Sequence, residues 1–545
     1  MLGLMQQRPL LISTLVDYAA TWHGTREIVS RDAEGVVHRT TYAEVALRAK
    51  RLARALAALG LGEGDRVATL AWNSHRHLEL YYGVTSSGRV LHTVNPRLFP
   101  EQIEYIIRHA EDGYVFFDPV FAPLVEGLAA RLPHVRWVSM SDRAGAPALP
   151  GGEVLVYEEL LAAEPADYAW PLLDENAAST LCYTSGTTGN PKGVLYSHRS
   201  TVLHAFAACA VDGLGLSGRD SFLVVVPLFH ANAWSLPFSG AMCGMKLVLP
   251  GPKLDPESLF SLMTEEGCTK SGAVPTVWLN VLAWIEANRN TLDLSRLKLK
   301  TVLCGGSAPP RAIIEKFHDL LGVYLLHAWG MTETSPIVTT GAPLWKHEGL
   351  DAVALVDMQT KQGRQVFGVE LRVAGRKGEA LPHDGASVGE LKVRGNWVVS
   401  GYFKGEGGDV LDDEGWFGTG DVATIDADGY VQLTDRLKDV IKSGGEWISS
   451  IEIENLAMSH PDVFEAAVIA VAHPVWQERP LLIVHPRPGR TPTREAILGF
   501  LAERLPKWQL PDDVAFVEGL PHTATGKLLK TELRKRFHGH LAVSG

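Results

Sequence analysis

Residues 183–193 read Tyr183-Thr-Ser-Gly-Thr-Thr-Gly-Asn-Pro-Lys-Gly193 and complete the apolar run Ser179-Thr-Leu-Cys-Tyr183. The apolar run has the character of a buried strand. It delivers the chain into a loop rich in Gly, Ser and Thr, which can aim backbone N–H groups and hydroxyls at a phosphate, while Lys192 supplies a point charge. The spacing is not that of the ordinary P-loop, because no second Gly-Lys follows Gly186 at the required distance. Composition alone would also suit a surface turn; the full string after a strand is what singles the loop out.

Outward from this loop, strand-like and helix-like segments alternate. Thr41 and Glu44 have capping-box spacing, and Val45, Leu47, Leu52, Leu56 and Leu59 predict a helix that stops at Gly60. The strand-like 66–72 precedes a helix-like 77–88, then 90–96, a helix at 100–112 and a strand at 114–118. The pattern resumes at 221–227, 246–252 and 298–306. Such alternation is the signature of βαβ units on a largely parallel sheet. From about residue 368 it gives way to short strands separated by turns (369–375, 389–395, 430–436), which predict a small antiparallel unit. A compact α+β module follows, with strands near 464–471, 481–485 and 514–518 and helices near 494–505 and 527–537. The expected fold is therefore α/β: a large N-terminal domain (1–434) of mixed, largely parallel sheets flanked by helices, with a small β unit. A hinge (435–440) and a small mobile α+β C-terminal domain (441–545) complete it. The charged stretch around Asp435 and Asp439 is, on composition, a solvated turn.

At 545 residues the chain exceeds what one hydrophobic core organises, and 46% apolar with 21% charged residues is a globular composition. A net charge of −11 argues against a general nucleic-acid binder. The five cysteines lie far apart with no metal-ligand spacing, as reduced, mostly buried thiols do. The N-terminal stretch lacks a basic start, a sustained apolar run and a cleavage site, and no run approaches the ~20 apolar residues of a membrane span. A cytoplasmic location is expected.

With its motifs quoted in order, the chain resembles the adenylate-forming superfamily: acyl-CoA synthetases, peptide-synthetase adenylation domains and firefly-type luciferases. Thr184, Ser185, Gly186, Thr187, Thr188, Gly189 and Lys192 match the phosphate-binding loop. His327-Ala328-Trp329-Gly330-Met331-Thr332-Glu333 matches the next motif, with Trp329 in place of a tyrosine. Trp416-Phe-Gly-Thr-Gly-Asp421 matches the ribose-binding stretch, Asp435-Arg-Leu-Lys-Asp439 the hinge and Thr525-Gly-Lys527 the C-terminal catalytic lysine motif. Within the superfamily, 226–234 and 441–450 look most like bacterial medium- and long-chain fatty acyl-CoA ligases, with methylmercaptopropionate ligases among the close relatives.

The resemblance implies ATP, Mg²⁺ and coenzyme A as reactants and cofactor, a carboxylic acid as substrate and a homodimer. It implies roles as well. Glu333 and Thr184 would hold Mg²⁺, and Asp421 would accept from the ribose hydroxyls with Arg436 beside it. Gly306, Ser307 and Ala308 would frame the adenine, with Trp329 packing on it. Trp447 would close over the nucleotide, and Lys527 would stabilise charge in adenylation. Rotation about Lys438 would then withdraw Lys527 and bring Lys442, Gly444 and Gly445 toward the pantetheine. Lys530, Arg534, Lys535 and Arg536 read as helix-face charges, with contact to phosphates left open. His230 would face the substrate carboxylate, and Trp234 would stand at the acyl tunnel. The segment 229–234 carries no acid to pair an α-ammonium, which favours a simple carboxylate over an amino acid. Gly213-Leu-Gly-Leu-Ser-Gly218 fits a dinucleotide pattern but follows a helix-like segment, so it reads as a helix stop and turn. Residues 341–366 match no motif.

Overall fold

The computed structural model describes residues 1, 3–33, 35–149, 153–184, 190–375, 377–443, 446–522 and 528–540, with the side chains of Glu446 and Trp447 outside that description. Alternation in the sequence becomes two α/β sheets. The first has seven strands in the order Leu155–Val156, Arg136–Ser139, Tyr114–Phe117, Arg66–Leu70, Val90–Thr93, Ala178–Tyr183 and Gly193–Ser197, parallel except for the last pair. Helices His75–Ser86 and Pro100–Ala110 make its crossovers. Half of the expected capping box is realised: Glu44 N donates to the Thr41 side chain, while the Glu44 carboxylate accepts from the Thr41 hydroxyl, and the helix runs Tyr42–Ala58.

The second sheet has thirteen strands. One half is parallel, from Glu27–Arg31 through Lys246–Leu249, Ser221–Val224, Lys270–Ala273 and Thr301–Cys304 to Tyr324–Gly330. The other half is antiparallel and contains the three short strands expected after residue 368. These do not form a separate unit. Tyr324–Gly330 pairs parallel with Thr301–Cys304 along Tyr324 to His327, then antiparallel with Ile337–Thr340 from Ala328 onward, through a bulge at Trp329/Gly330. One strand thus presents a ladder edge to each half and makes them continuous. A Cβ on Gly330 would sit 1.7 Å from the Pro336 carbonyl oxygen, so the bulge admits only glycine. The unassigned 341–366 supplies the helix Ala352–Thr360 and the strand Gly363–Gln365, which joins Ile337–Thr340 to Tyr430–Arg436.

The C-terminal part forms a five-stranded sheet from Glu446–Ile448, Ile441–Ser443, Gln477–Pro486, Val463–His473 and Asp513–Phe516, with helices Ser450–Met458, Arg494–Ala502 and Lys530–Arg536. Its core of Ile441, Ile453, Val468, Leu482 and Ile497 is its own. Among the described residues no helix is long and apolar enough to cross a membrane.

Candidate active site

Strands Arg66–Leu70, Val90–Thr93 and Ala178–Tyr183 run parallel and end at one edge of the seven-stranded sheet, where open α/β folds place their ligands. The Gly-rich loop leaves from that edge. Its neck is closed: Thr184 N donates to the Lys192 carbonyl at 2.9 Å, and Lys192 N to Thr184 Oγ1 at 3.3 Å. Ser185, Gly186, Thr187, Thr188 and Gly189 lie outside the described residues.

Tyr402 was not among the residues expected from sequence, yet it connects two that were. Lys192 Nζ stands 4.9 Å from the centre of its ring, and its hydroxyl donates to Glu333 Oε1 at 2.8 Å. Burial and the Glu333 charge push the Tyr402 phenol well above its ordinary value, so it stays a donor. Glu333 is buried in a turn after the bulged strand. Val399 N donates to its carbonyl at 2.8 Å, and the Tyr196 hydroxyl donates to the carbonyl of Thr332 at 2.6 Å. No motif marks Tyr402 or Tyr196; each is a lone aromatic until the fold places it.

A second cluster gathers around Asp421, only 2% exposed and just after Gly420 in the strand Phe417–Ile425. Trp329 Nε1 donates to Asp421 Oδ2 at 3.0 Å, and Arg436 Nε lies 2.7 Å from Asp421 Oδ1. Trp329 thus holds the carboxylate through its indole N–H. Gly306, Ser307 and Ala308 follow the strand Thr301–Cys304 at its carboxyl end. His327 is buried beside the carbonyls of Gln359, Thr360 and Lys361; burial lowers its imidazole to about 4, so it is neutral. Met331 N donates to the Pro336 carbonyl and to Thr334 Oγ1, pinning the turn that carries Thr332 and Glu333.

The segment after His230 departs from the sequence expectation. The apolar stretch 221–227 is a strand only over Ser221–Val224. Ala231, Asn232, Ala233, Trp234 and Ser235 then all adopt positive φ, from 42° to 66°. A left-handed turn costs roughly 1–2 kcal/mol per non-glycine residue, so the surroundings must hold it. They do so through Asn232, whose amide donates to Thr180 Oγ1 at 3.0 Å and accepts from the Tyr81 hydroxyl at 3.2 Å. Asn73 fixes the approach by donating to the carbonyls of Val224 and Val226 and accepting from Leu228 N. The turn drives the Trp234 indole into a niche floored by glycine: a Cβ on Gly272 or Gly305 would come within 3.3 Å and 3.2 Å of it.

In the hinge stretch the two carboxylates are buried, while Leu437 and Lys438 between them are exposed. Asp435 and Asp439 are 2% and 8% exposed, and burial raises the Asp435 carboxyl although the Lys530 charge opposes it. Leu437 N donates to the Gly420 carbonyl at 2.9 Å, and Asp439 N and Val440 N both donate to the Arg436 carbonyl. Lys442 is exposed on the strand Ile441–Ser443, its N–H on Glu478 Oε2 at 2.8 Å. Gly444, Gly445 and Lys527 lie outside the described residues, as does the side chain of Trp447.

Two family models cover most of this architecture. Residues 16–403 match the AMP-binding enzyme model, and residues 452–527 match the AMP-binding enzyme C-terminal domain. The chain belongs to the AMP-binding enzyme family. Two curated relatives match over nearly their whole length. A 3-methylmercaptopropionyl-CoA ligase of Ruegeria pomeroyi is 51% identical, over 98% of this chain and 99% of the relative. A medium-chain-fatty-acid–CoA ligase of Ectopseudomonas oleovorans is 49% identical over 98% of each. Among solved structures, ATP-bound MatB from Rhodopseudomonas palustris superposes with a TM-score of 0.82 at 26% identity, over 97% of this chain and 99% of that one. The chain is thus an adenylate-forming enzyme of the acyl-CoA ligase kind, as its motifs led us to expect.

Metal chemistry fits the residues at the loop. The Glu333 carboxylate and the Thr184 hydroxyl are hard oxygen donors of the type Mg²⁺ takes. Among the described residues no group of three or more His, Cys, Asp or Glu could hold a metal, so phosphate oxygens and water would complete the shell.

Proposed function

We propose that this enzyme joins a carboxylic acid, in the first instance a medium-chain fatty acid, to coenzyme A through an acyl-adenylate. The observation that carries the reading is the pair of clusters at the strand ends: Lys192–Tyr402–Glu333 beside the phosphate loop, and Trp329–Asp421–Arg436 beyond it. The first supplies a cation and a buried carboxylate where a polyphosphate would lie. The second supplies an oriented acceptor for sugar hydroxyls. A carboxylate oxygen attacking the α-phosphorus is an anion meeting an anion, so catalysis rests on positioning and charge neutralisation.

In this reading residues 184–192 bind the phosphates, Gly306, Ser307, Ala308 and the stretch 327–332 frame the adenine, and Asp421 orients the ribose. Mg²⁺ held by Glu333 and Thr184 would neutralise phosphate charge. In the same reading His230, Glu333, Arg436 and Lys527 would act on the reacting groups. Pyrophosphate leaves first. The coenzyme A sulfur then attacks the acyl carbon, AMP leaves with the carboxylate oxygen, and the thiol proton passes to solvent. The 435–440 hinge would let residues 441–545 turn between the two steps about the 1–434 body, presenting Lys442, Gly444 and Gly445 to the pantetheine and drawing Trp447 over the nucleotide. A homodimer in the cytoplasm completes the proposal.

A second acid has an observation in its favour. The Trp234 indole packs over Gly272 and Gly305, and the 51% identical relative is a 3-methylmercaptopropionyl-CoA ligase. AMP release with and without coenzyme A, across straight-chain acids from acetate to palmitate and methylmercaptopropionate, separates the two. A maximum of kcat/KM at medium chain lengths supports the fatty acid. A maximum at the short methylthio acid replaces it, and the absence of coenzyme A-dependent AMP with every acid sinks both.

A further inference from the structure

Lys530 and Arg534 are not solvated helix-face charges. They lie one turn apart in the helix Lys530–Arg536, so both point to the same side. Lys530 Nζ reaches Glu454 Oε1 at 2.7 Å and Ser450 Oγ at 2.6 Å, and both charged side chains are only 11% exposed. Glu454 Oε1 also accepts from Val468 N at 2.7 Å, which ties the pair into the C-terminal sheet. Arg534 pairs with Asp439 in the hinge.

The other side of this cluster belongs to the large body. Asp435 lies in the strand Tyr430–Arg436, paired with Val422 in the thirteen-stranded sheet. Its Oδ2 accepts from Ser450 N at 2.6 Å, one residue beyond Ser449, whose hydroxyl donates to the carbonyl of Thr434. Burial would lower the Lys530 ammonium, but the charges of Glu454, Asp435 and Asp439 raise it, so it stays a cation. Burial lifts the Glu454 carboxyl to about 7 against the pull of Lys530. A lone lysine this deep would be a stranded charge; its place is explained by the carboxylates of body, hinge and lobe that meet around it.

We propose that Lys530 is a positioning residue for adenylation, fastening the C-terminal helix to Glu454 and Ser450, and through Ser450 to Asp435, three residues after Lys527 in the chain. The proposal rests on the reading of Lys527 as the adenylation lysine. Lys530 touches no reacting group in this scheme. It acts by setting where the start of its helix stands against the Asp435 side of the hinge, while Arg534 keeps the helix moving with Asp439 when the lobe turns.

The test compares full-length Lys530→Met, Lys530→Arg and the double variant Glu454→Met with Lys530→Met, which removes both members of the Lys530–Glu454 pair together. Two half-reactions are read: pyrophosphate from ATP and acid in single turnover, and thioester from supplied acyl-adenylate and coenzyme A. Lys530→Met and the double variant are expected to lose adenylation kcat by at least about tenfold, with the KM for ATP and the thioester step each within about threefold. Lys530→Arg is expected to recover adenylation to within about threefold of the parent. Wild-type adenylation by the double variant would overturn the proposal, and so would an equal fall in both half-reactions, which marks a structural role alone. Lys527→Ala run alongside separates the two claims. If it adenylates normally, the reading of Lys527 has failed; if it is inactive while Lys530→Met is active, this inference has failed.

Discussion

Lys527→Ala is expected to lower the single-turnover rate of pyrophosphate formation by about 10²–10³-fold, the usual effect of removing one preorganised charge from a polar transition state. Thioester formation from supplied acyl-adenylate should stay within about threefold of the parent, because the thiol attacks carbon and needs no cation between carboxylate and phosphate. The reason lies in what the described site contains. Lys192 stands over the Tyr402 ring and Arg436 is engaged with Asp421, so in the proposed reading these two cations would serve the polyphosphate and the ribose. In that reading the cation between acid and α-phosphate comes from the C-terminal lobe as Lys527. Near-wild-type pyrophosphate release by Lys527→Ala would remove this mechanism.

Lys438→Pro is expected to do the reverse: to slow the thioester step on the order of a hundredfold, while adenylation stays within about threefold. The geometry around Lys438 motivates the asymmetry. Leu437 is fastened to the body, its N–H on the Gly420 carbonyl at 2.9 Å. Asp439 is fastened to the lobe through Arg534. One residue separates the two anchors, so a rotation of lobe against body concentrates in the dihedrals of Lys438. Proline locks φ near −65°, which removes half of that freedom. Burial lowers the Lys438 ammonium, so the lysine charge itself is partly desolvated there. Equal losses in single-turnover assays of both half-reactions would refute the pivot.

Local signals carried much of the fold. The Thr41–Glu44 cap, the alternation from residue 66 to 118 and the glycine stops depend on neighbours in the chain, and each stands where its pattern pointed. The merging of the late strands with the parallel half did not show, because it depends on one strand pairing parallel on one side and antiparallel on the other. The candidate site divides the same way. Glu333 and Asp421 sit in strings long enough to read. Tyr402 and Asn232 do not: a single tyrosine and a single asparagine acquire meaning only when the fold sets one on Glu333 and the other under a left-handed turn. Lys530 reads as a helix-face charge because a lysine in a basic run is most often solvated, and the carboxylate that pairs with it lies 76 positions away (530 minus 454).

The central claim, that an acid oxygen becomes bonded to the nucleotide's α-phosphorus before sulfur arrives, is tested most directly with acid labelled by ¹⁸O in both carboxylate oxygens. After one turnover with ATP and coenzyme A, the account predicts one ¹⁸O in the phosphate of AMP and none in pyrophosphate. Label in pyrophosphate or free phosphate, or unlabelled AMP, would contradict it.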